Sequence, residues 1–243
     1  MSTESVLKRL THVDCIVFDL DGVLFDGTNE AYFECHRHAL ENVNVKVPED
    51  KLRRCLLQYW SYTHKFQLSL FIDDEASLAA ACDAYEERLF SPEFSGRITQ
   101  IPGAADTITQ LSKLGYRLAI ATGMHHKQIP ASLRSIGIDP AIFATCISVS
   151  QLPADKLPKP YPYMLQTILA QLNTAPERAL YIGDSVDDVK MARAAGVIAV
   201  AVLTGNMSRT EAEKEGSDLI LKSIGDLIPV GCAQENENGL ENS

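Results

Sequence analysis

Apolar residues in this chain follow two rhythms. Short, nearly unbroken apolar runs recur at 15–18, 116–121, 143–147, 179–182, 197–202 and 218–221. Runs of that length without polar alternation predict strands buried on both faces of a parallel sheet. Helical periodicity fills the intervals: about 103–114, from the end of the 116–121 strand to Ile136, after Pro162, through Ala195, and in a charged segment before 218. From about 26 to 94 the rhythm is helical throughout. Ala31, Cys35 and Ala39 repeat every fourth residue, Leu52, Cys55, Leu56 and Tyr59 share one helical face, and so do Leu78, Ala81, Cys82, Tyr85 and Leu89. These are three helical patterns with no strand between them. The chain therefore reads as an α/β protein, a Rossmann-like doubly wound parallel sheet with an all-helical domain inserted after the first strand. Residues 1–25 and 98–230 are assigned to the α/β core and 26–97 to the insertion. A polar tail at 231–243 is expected to be disordered, and residues 1–12 form a polar lead-in.

Composition narrows the classes of function. The 243 residues include enough apolar content for a real core, and the formal net charge of −10 argues against nucleic acid as a partner. No apolar stretch approaches membrane-spanning length, and the first ten residues lack a signal-peptide core. The expectation is a soluble, cytoplasmic protein without membrane association, acting as a monomer or homodimer. Six cysteines at 15, 35, 55, 82, 146 and 232 show no metal or redox spacing and read as buried thiols of a reducing compartment.

The chemistry-bearing residues cluster at strand ends. The run Cys15–Phe18 stops at Asp19-Leu20-Asp21-Gly22, so two carboxylates two residues apart face one crevice at the sheet's carboxyl edge, with a glycine to turn the chain behind them. The strand at 116–121 ends in Thr122-Gly123 and is expected to enter a helix directly, whose free N–H groups suit an anion; capping of that helix is the other use for Thr122. Lys159 stands among Pro158, Pro160 and Pro162, a stiff mount for a cation or an ordinary turn. Gly183-Asp184-Ser185-Val186-Asp187-Asp188 repeats the opening theme. Ser185 and Asp188 have the spacing of a capping box, which accounts for Asp188 but not for Asp184. Asp19, Asp21 and Asp184 gathered at one sheet edge would repel one another by several kcal/mol at an effective dielectric of about 20, so a cation belongs among them. An oxygen-only donor set left open to a phosphate favours Mg²⁺.

In these motifs the sequence resembles the haloacid dehalogenase-like hydrolase superfamily. Asp19-Leu20-Asp21-Gly22, Thr122, Lys159 and Gly183 to Asp188 match its four motifs in order, across about 13–228. The helical insertion resembles the superfamily's helical cap, and the layout resembles the phosphoglycolate phosphatase and β-phosphoglucomutase branch. The resemblance implies Asp19 as nucleophile and Asp21 as general acid and base. It implies Thr122, Gly123 and Lys159 as the phosphate-binding set. Asp19, the backbone carbonyl of Asp21, and Asp184 would bind Mg²⁺, with Asp188 supporting them.

The expected activity is thus hydrolysis of a small phosphorylated metabolite through an aspartyl-phosphate. Two alternatives stand beside it: a phosphosugar mutase, and a non-catalytic member of the fold that binds a phosphorylated ligand or a protein. Substrate contacts are expected from the cap, among His36, His38, Arg53, Arg54, Tyr59, Trp60, His64 and Lys65. His125 and His126 are read as exposed residues of the helix after Thr122 and left out of the site.

Overall fold

The computed structural model describes residues 12–227; residues 1–11 of the lead-in, the last three core positions 228–230, and the tail from 231 with Cys232 lie outside them. The first strand, β1 (Cys15–Phe18), leads to a two-residue strand β2 (Phe25–Asp26). Five helices follow: α1 (Thr28–Asn42), α2 (Glu49–Gln58), α3 (His64–Ser69), α4 (Glu75–Leu89) and α5 (Pro92–Ser95). A second two-residue strand, β3 (Thr99–Gln100), returns the chain to the core. Alternation then sets in with α6 (Ala104–Lys113), β4 (Arg117–Thr122), α7 (Ile129–Ser135), β5 (Thr145–Ser148), α8 (Tyr163–Gln171) and β6 (Ala179–Gly183). It closes with α9 (Val186–Ala194), β7 (Ile198–Val202), α10 (Arg209–Lys214) and β8 (Leu219–Leu221).

The six longer strands form one parallel sheet in the order β5-β4-β1-β6-β7-β8. Strand β1 is central, and the connections leave it toward β4 on one side and β6 on the other. That reversal opens a crevice beyond its carboxyl end. Within the strands large and small apolar residues alternate, which sorts the two faces. Ile16, Phe18, Leu118, Ile120, Leu180 and Ile182 point to one face and pack with Ile108 and Leu111 of α6 and Leu133 of α7. Val17, Ala119, Ala121, Ala179, Ala199 and Ala201 point to the other, where short side chains let α8 and α9 approach with Met164, Leu165, Ile168 and Met191.

The insertion differs in detail from its three-helix reading. Five helices build it around a separate core of Phe33, Leu40, Leu52, Leu56, Leu68, Tyr85, Leu89 and Phe94. The extra breaks are set by side-chain caps: Thr63 Oγ1 accepts from the Phe66 N–H (3.3 Å), Asp74 Oδ2 from Ser77 N–H (2.7 Å) and Ser91 Oγ from Phe94 N–H (3.3 Å). Nor is the region strand-free at its borders, because Phe25 pairs with Gln100 and Asp26 with Thr99 in an antiparallel ribbon. Two-residue strands carry too little pattern to be read from sequence. The cysteine reading also needs correction: Cys15 and Cys35 are buried, whereas Cys55, Cys82 and Cys146 are half-buried, and all five are free thiols. Among the described residues no helix is long and apolar enough to cross a membrane.

Candidate active site

Backbone register brings the strand ends together. Phe18 lies beside Ile120 and Ile182, and the Asp19 N–H donates to the Ile182 carbonyl (2.9 Å), so β1 hands its carboxylate to the crevice between β4 and β6. Behind it the chain turns at Gly22, whose φ of +72° is left-handed and whose missing Cβ makes room for the Asp184 carboxylate. The same carboxylate presses on Gly205, in the loop after β7, where a Cβ would overlap it as well. Asp184 Oδ2 accepts hydrogen bonds there from the Asn206 backbone N–H (2.8 Å) and side-chain amide (3.3 Å).

Lys159 is the cation of this cluster. Its ammonium, 3% exposed, lies 2.7 Å from Asp19 Oδ2 and 2.8 Å from Asp188 Oδ1. Asp188 caps a helix and pairs with Lys159 at once. Its Oδ2 accepts from Ser185 N–H (3.1 Å), Ser185 Oγ (2.7 Å) and Asp184 N–H (3.2 Å), completing the capping box on α9, while its Oδ1 takes Lys159 and the Tyr181 hydroxyl (2.8 Å). Burial raises its carboxyl, but Lys159, Ser185 and Tyr181 together outweigh burial and hold it below the usual range. Asp19 and Asp184 go the other way. Burial pushes both up, opposed at Asp19 by Lys159 and reinforced at Asp184 by the charges of Asp188 and Asp19.

Asp21 stands apart from that trio and lines the same cavity. Burial is the main cause that lifts its carboxyl to about 7, against a hydrogen bond donated by Thr28 at the start of α1. A half-buried carboxyl poised near neutrality can hold a proton and release it. Oxygen atoms of Asp19, Asp184 and Asp188 lie within 4.8 Å of one another. Among the described residues, three buried carboxylates against one ammonium leave two negative charges uncompensated, and an oxygen-only donor set of this kind fits a hard divalent cation.

Thr122 and Gly123 also line the cavity, but not as a helix start. A turn runs from Gly123 to Gln128 before α7 begins at Ile129, and Thr122 Oγ1 accepts from the Met124 N–H (3.2 Å). Thr122 thus caps no helix. The same turn carries His125, whose side chain is only 11% exposed, into the cavity wall, contrary to its reading as an exposed helical residue. His126 is tied to Ser150 (3.0 Å).

The helical insertion roofs a partly open cavity of about 60 Å³ with Trp60, Ser61, His64 and Tyr85, and Trp60 and Ser61 rest against Gly123. His64 stacks on Tyr85 with ring centroids 4.5 Å apart. His36 is buried behind them, its ring nitrogens 2.8 Å from the Tyr32 carbonyl and 2.7 Å from Gln67 Oε1. Of the other cap candidates, His38, Arg54 and Lys65 face solvent. Arg53 lines a neighbouring groove of about 380 Å³ that meets the cavity at Leu56, Trp60, Ser61 and Ser185. Sequence reasoning missed Thr28, seven residues from Asp21, and Asn206 and Gly205, which meet Asp184 from the loop after β7. The one available signal for the last two was position, just past a strand's carboxyl end.

Comparison with known proteins identifies the family. The family model described as haloacid dehalogenase-like hydrolase matches residues 16–202. A phosphoglycolate phosphatase of Pseudomonas putida is 28% identical over 227 residues, covering 90% of this chain and 79% of that protein. Pyrophosphatase PpaX of Bacillus cereus is 26% identical over 219 residues, covering 90% and 96%. Among solved structures, CbbY from Rhodobacter sphaeroides in complex with phosphate superposes with a TM-score of 0.73 at 25% identity, covering 90% of this chain and 98% of that one.

Proposed function

The chain belongs to the haloacid dehalogenase-like hydrolase family and is a phosphoric-monoester hydrolase of it, and we propose that it is a Mg²⁺-dependent phosphatase working on a small phosphorylated metabolite through an aspartyl-phosphate. The observation that carries this reading is the pairing of Asp19 with Lys159 at 2.7 Å beside a second, half-buried carboxyl, Asp21, whose pKa is lifted to about 7.

In this mechanism Asp19 attacks phosphorus, and the bond to the leaving oxygen breaks as Asp21 donates its proton there. Asp21 then takes a proton from the water that hydrolyses the aspartyl-phosphate and regenerates Asp19. Lys159, the Thr122 hydroxyl and the Gly123 N–H hold phosphoryl oxygens, and Lys159 offsets the repulsion between Asp19 and an anionic substrate. Asp19, the Asp21 carbonyl and Asp184 would hold Mg²⁺, with Asp188 keeping Lys159 and the Ser185 turn in place. When bound, the ion supplies charge neutralisation at the transferring group. The cap excludes water and encloses the leaving group. Water is the acceptor in this reading, since a mutase needs a second anion site, and Arg53, Arg54 and Lys65 lie outside the cavity.

Hydrolysis of a generic aryl phosphate, with Mg²⁺ and with excess chelator, tests the proposal. Activity is expected only with the metal, and Asp19→Asn is expected to remove turnover while leaving a folded protein whose melting temperature still rises with Mg²⁺. Near-normal turnover by Asp19→Asn, or full activity in chelator, would refute it.

A further inference from the structure

The walls of the site carry an unusual charge inventory. Among the described residues lining the cavity, Lys159 is the single lysine or arginine, and both of its contacts are carboxylates of the phosphoryl site. The adjoining groove adds one more cation, Arg53, and that guanidinium is already engaged. Its Nη1 and Nη2 donate to both oxygens of Glu30 (2.9 and 3.0 Å), its Nε donates to Glu49 (2.8 Å), and its face lies 3.7 Å over the Phe33 ring. Anions are plentiful. Glu86 sits behind the histidines, 3.7 Å from His64 Nε2 and 3.9 Å from His125 Nε2, and Asp187 and Glu30 border the groove.

The histidines do not supply the missing charge. His36 has both ring nitrogens occupied by Tyr32 and Gln67. Burial disfavours the charged form of both His64, which it brings to about 4, and His125, where Glu86 opposes the shift. What remains for a ligand to meet is uncharged: the hydroxyls of Ser61 and Thr63, the amide of Gln58, imidazole nitrogen, and the aromatic surface of Trp60 and Tyr62.

We propose that the substrate is a phosphate monoester of an uncharged, hydroxyl-bearing alcohol of the polyol or sugar type, and that esters whose leaving group carries a carboxylate or a second phosphate are rejected. The inference rests on the phosphatase reading and deepens it. A second anion, once dehydrated under the cap, would find no unpaired cation and would lie close to Glu86 or Glu30, a like-charge juxtaposition that binding energy elsewhere cannot repay. A sugar or polyol hydroxyl loses nothing comparable, because serine, threonine, glutamine and imidazole groups replace its water. The two cavities meeting at Trp60 and Ser61 offer an aromatic face for the carbon skeleton.

The test uses the whole wild-type protein with saturating Mg²⁺. Initial rates of phosphate release give kcat/KM for glycerol 1-phosphate, ribose 5-phosphate and glucose 6-phosphate on one side. On the other stand 2-phosphoglycolate, 3-phosphoglycerate, fructose 1,6-bisphosphate and pyrophosphate, with an aryl phosphate as reference. The best neutral-alcohol ester is expected to exceed the best anionic one by at least tenfold, on the order of 100-fold. A ratio below tenfold, with the aryl phosphate hydrolysed, overturns the inference and leaves the phosphatase reading standing. Failure to release phosphate from any compound, the aryl ester included, refutes the phosphatase reading and this inference with it.

Discussion

Replacing Lys159 by methionine removes the cation that, among the described residues, pairs with Asp19 and Asp188, while keeping most of its volume. At an effective dielectric of about 20, each of its contacts, 2.7 Å to Asp19 and 2.8 Å to Asp188, corresponds to about 6 kcal/mol of attraction. Much of that offsets the cost of burying the ammonium, so the net loss on breaking the network is about 3–5 kcal/mol at neutral pH. The loss has a pH signature. Without Lys159 the folded-state pKa values of Asp19 and Asp188 rise above their unfolded values, so the variant is relieved once protons bind and is penalised as pH rises through those values. Urea unfolding in excess chelator at about pH 8 and about pH 5.5 should therefore show a large deficit against wild type at the higher pH and a smaller one at the lower. Adding Mg²⁺ should stabilise each protein by about 2.7 kcal/mol at a hundredfold excess over its own Kd. Turnover should fall by roughly 10²–10³ through loss of charge stabilisation at the phosphoryl group. A variant with a wild-type urea midpoint near pH 8, or a deficit independent of pH, would refute the reasoning.

Other predictions follow from neighbouring contacts. The Thr28 hydroxyl favours the ionised form of Asp21, so Thr28→Val should raise the Asp21 pKa above about 7 and move the alkaline fall of kcat/KM to higher pH, as a pH-rate profile would show; an unmoved limb would exclude Asp21 as the acid. Gly205→Ala places a Cβ against the Asp184 carboxylate and should weaken Mg²⁺ binding measured calorimetrically, with a stability loss of about 1–3 kcal/mol. His36 is buried and neutral, with burial bringing it from 6.5 to about 4. Its folded pKa lies below its unfolded one, so its contribution is intact above pH 6.5 and is lost as pH falls toward 4, reaching about 3 kcal/mol. His36→Leu should lack that part of the acid destabilisation in urea titrations, and identical pH dependence in both proteins would contradict the assignment.

The parts of this protein that were legible in its sequence are those set by local pattern. Unbroken apolar runs specify strands buried on both faces, and helical spacing specifies what lies between them, so the α/β alternation and the helical insertion could be read directly. Asp19, Asp21, Lys159 and Asp184 were legible because each sits at a strand end or on a stiff loop where an apolar pattern stops and a charged residue has no packing role. The capping-box reading of Asp188 was correct and incomplete, since only folding brings Lys159 and Tyr181 to its second oxygen. Long-range approach was decided by tertiary structure alone. Asn206 reaches Asp184 across 22 residues, and Arg53 meets Glu30 across 23; Lys159 joins Asp19 to Asp188 although no local pattern links the three. His125 looked like a helical surface residue until a turn after Thr122 delayed the helix to Ile129 and aimed the imidazole inward. Periodicity reports which face of an element is buried. It does not report which charges from distant elements end up paired, and among the described residues that pairing leaves Lys159 as the single lysine or arginine lining the cavity.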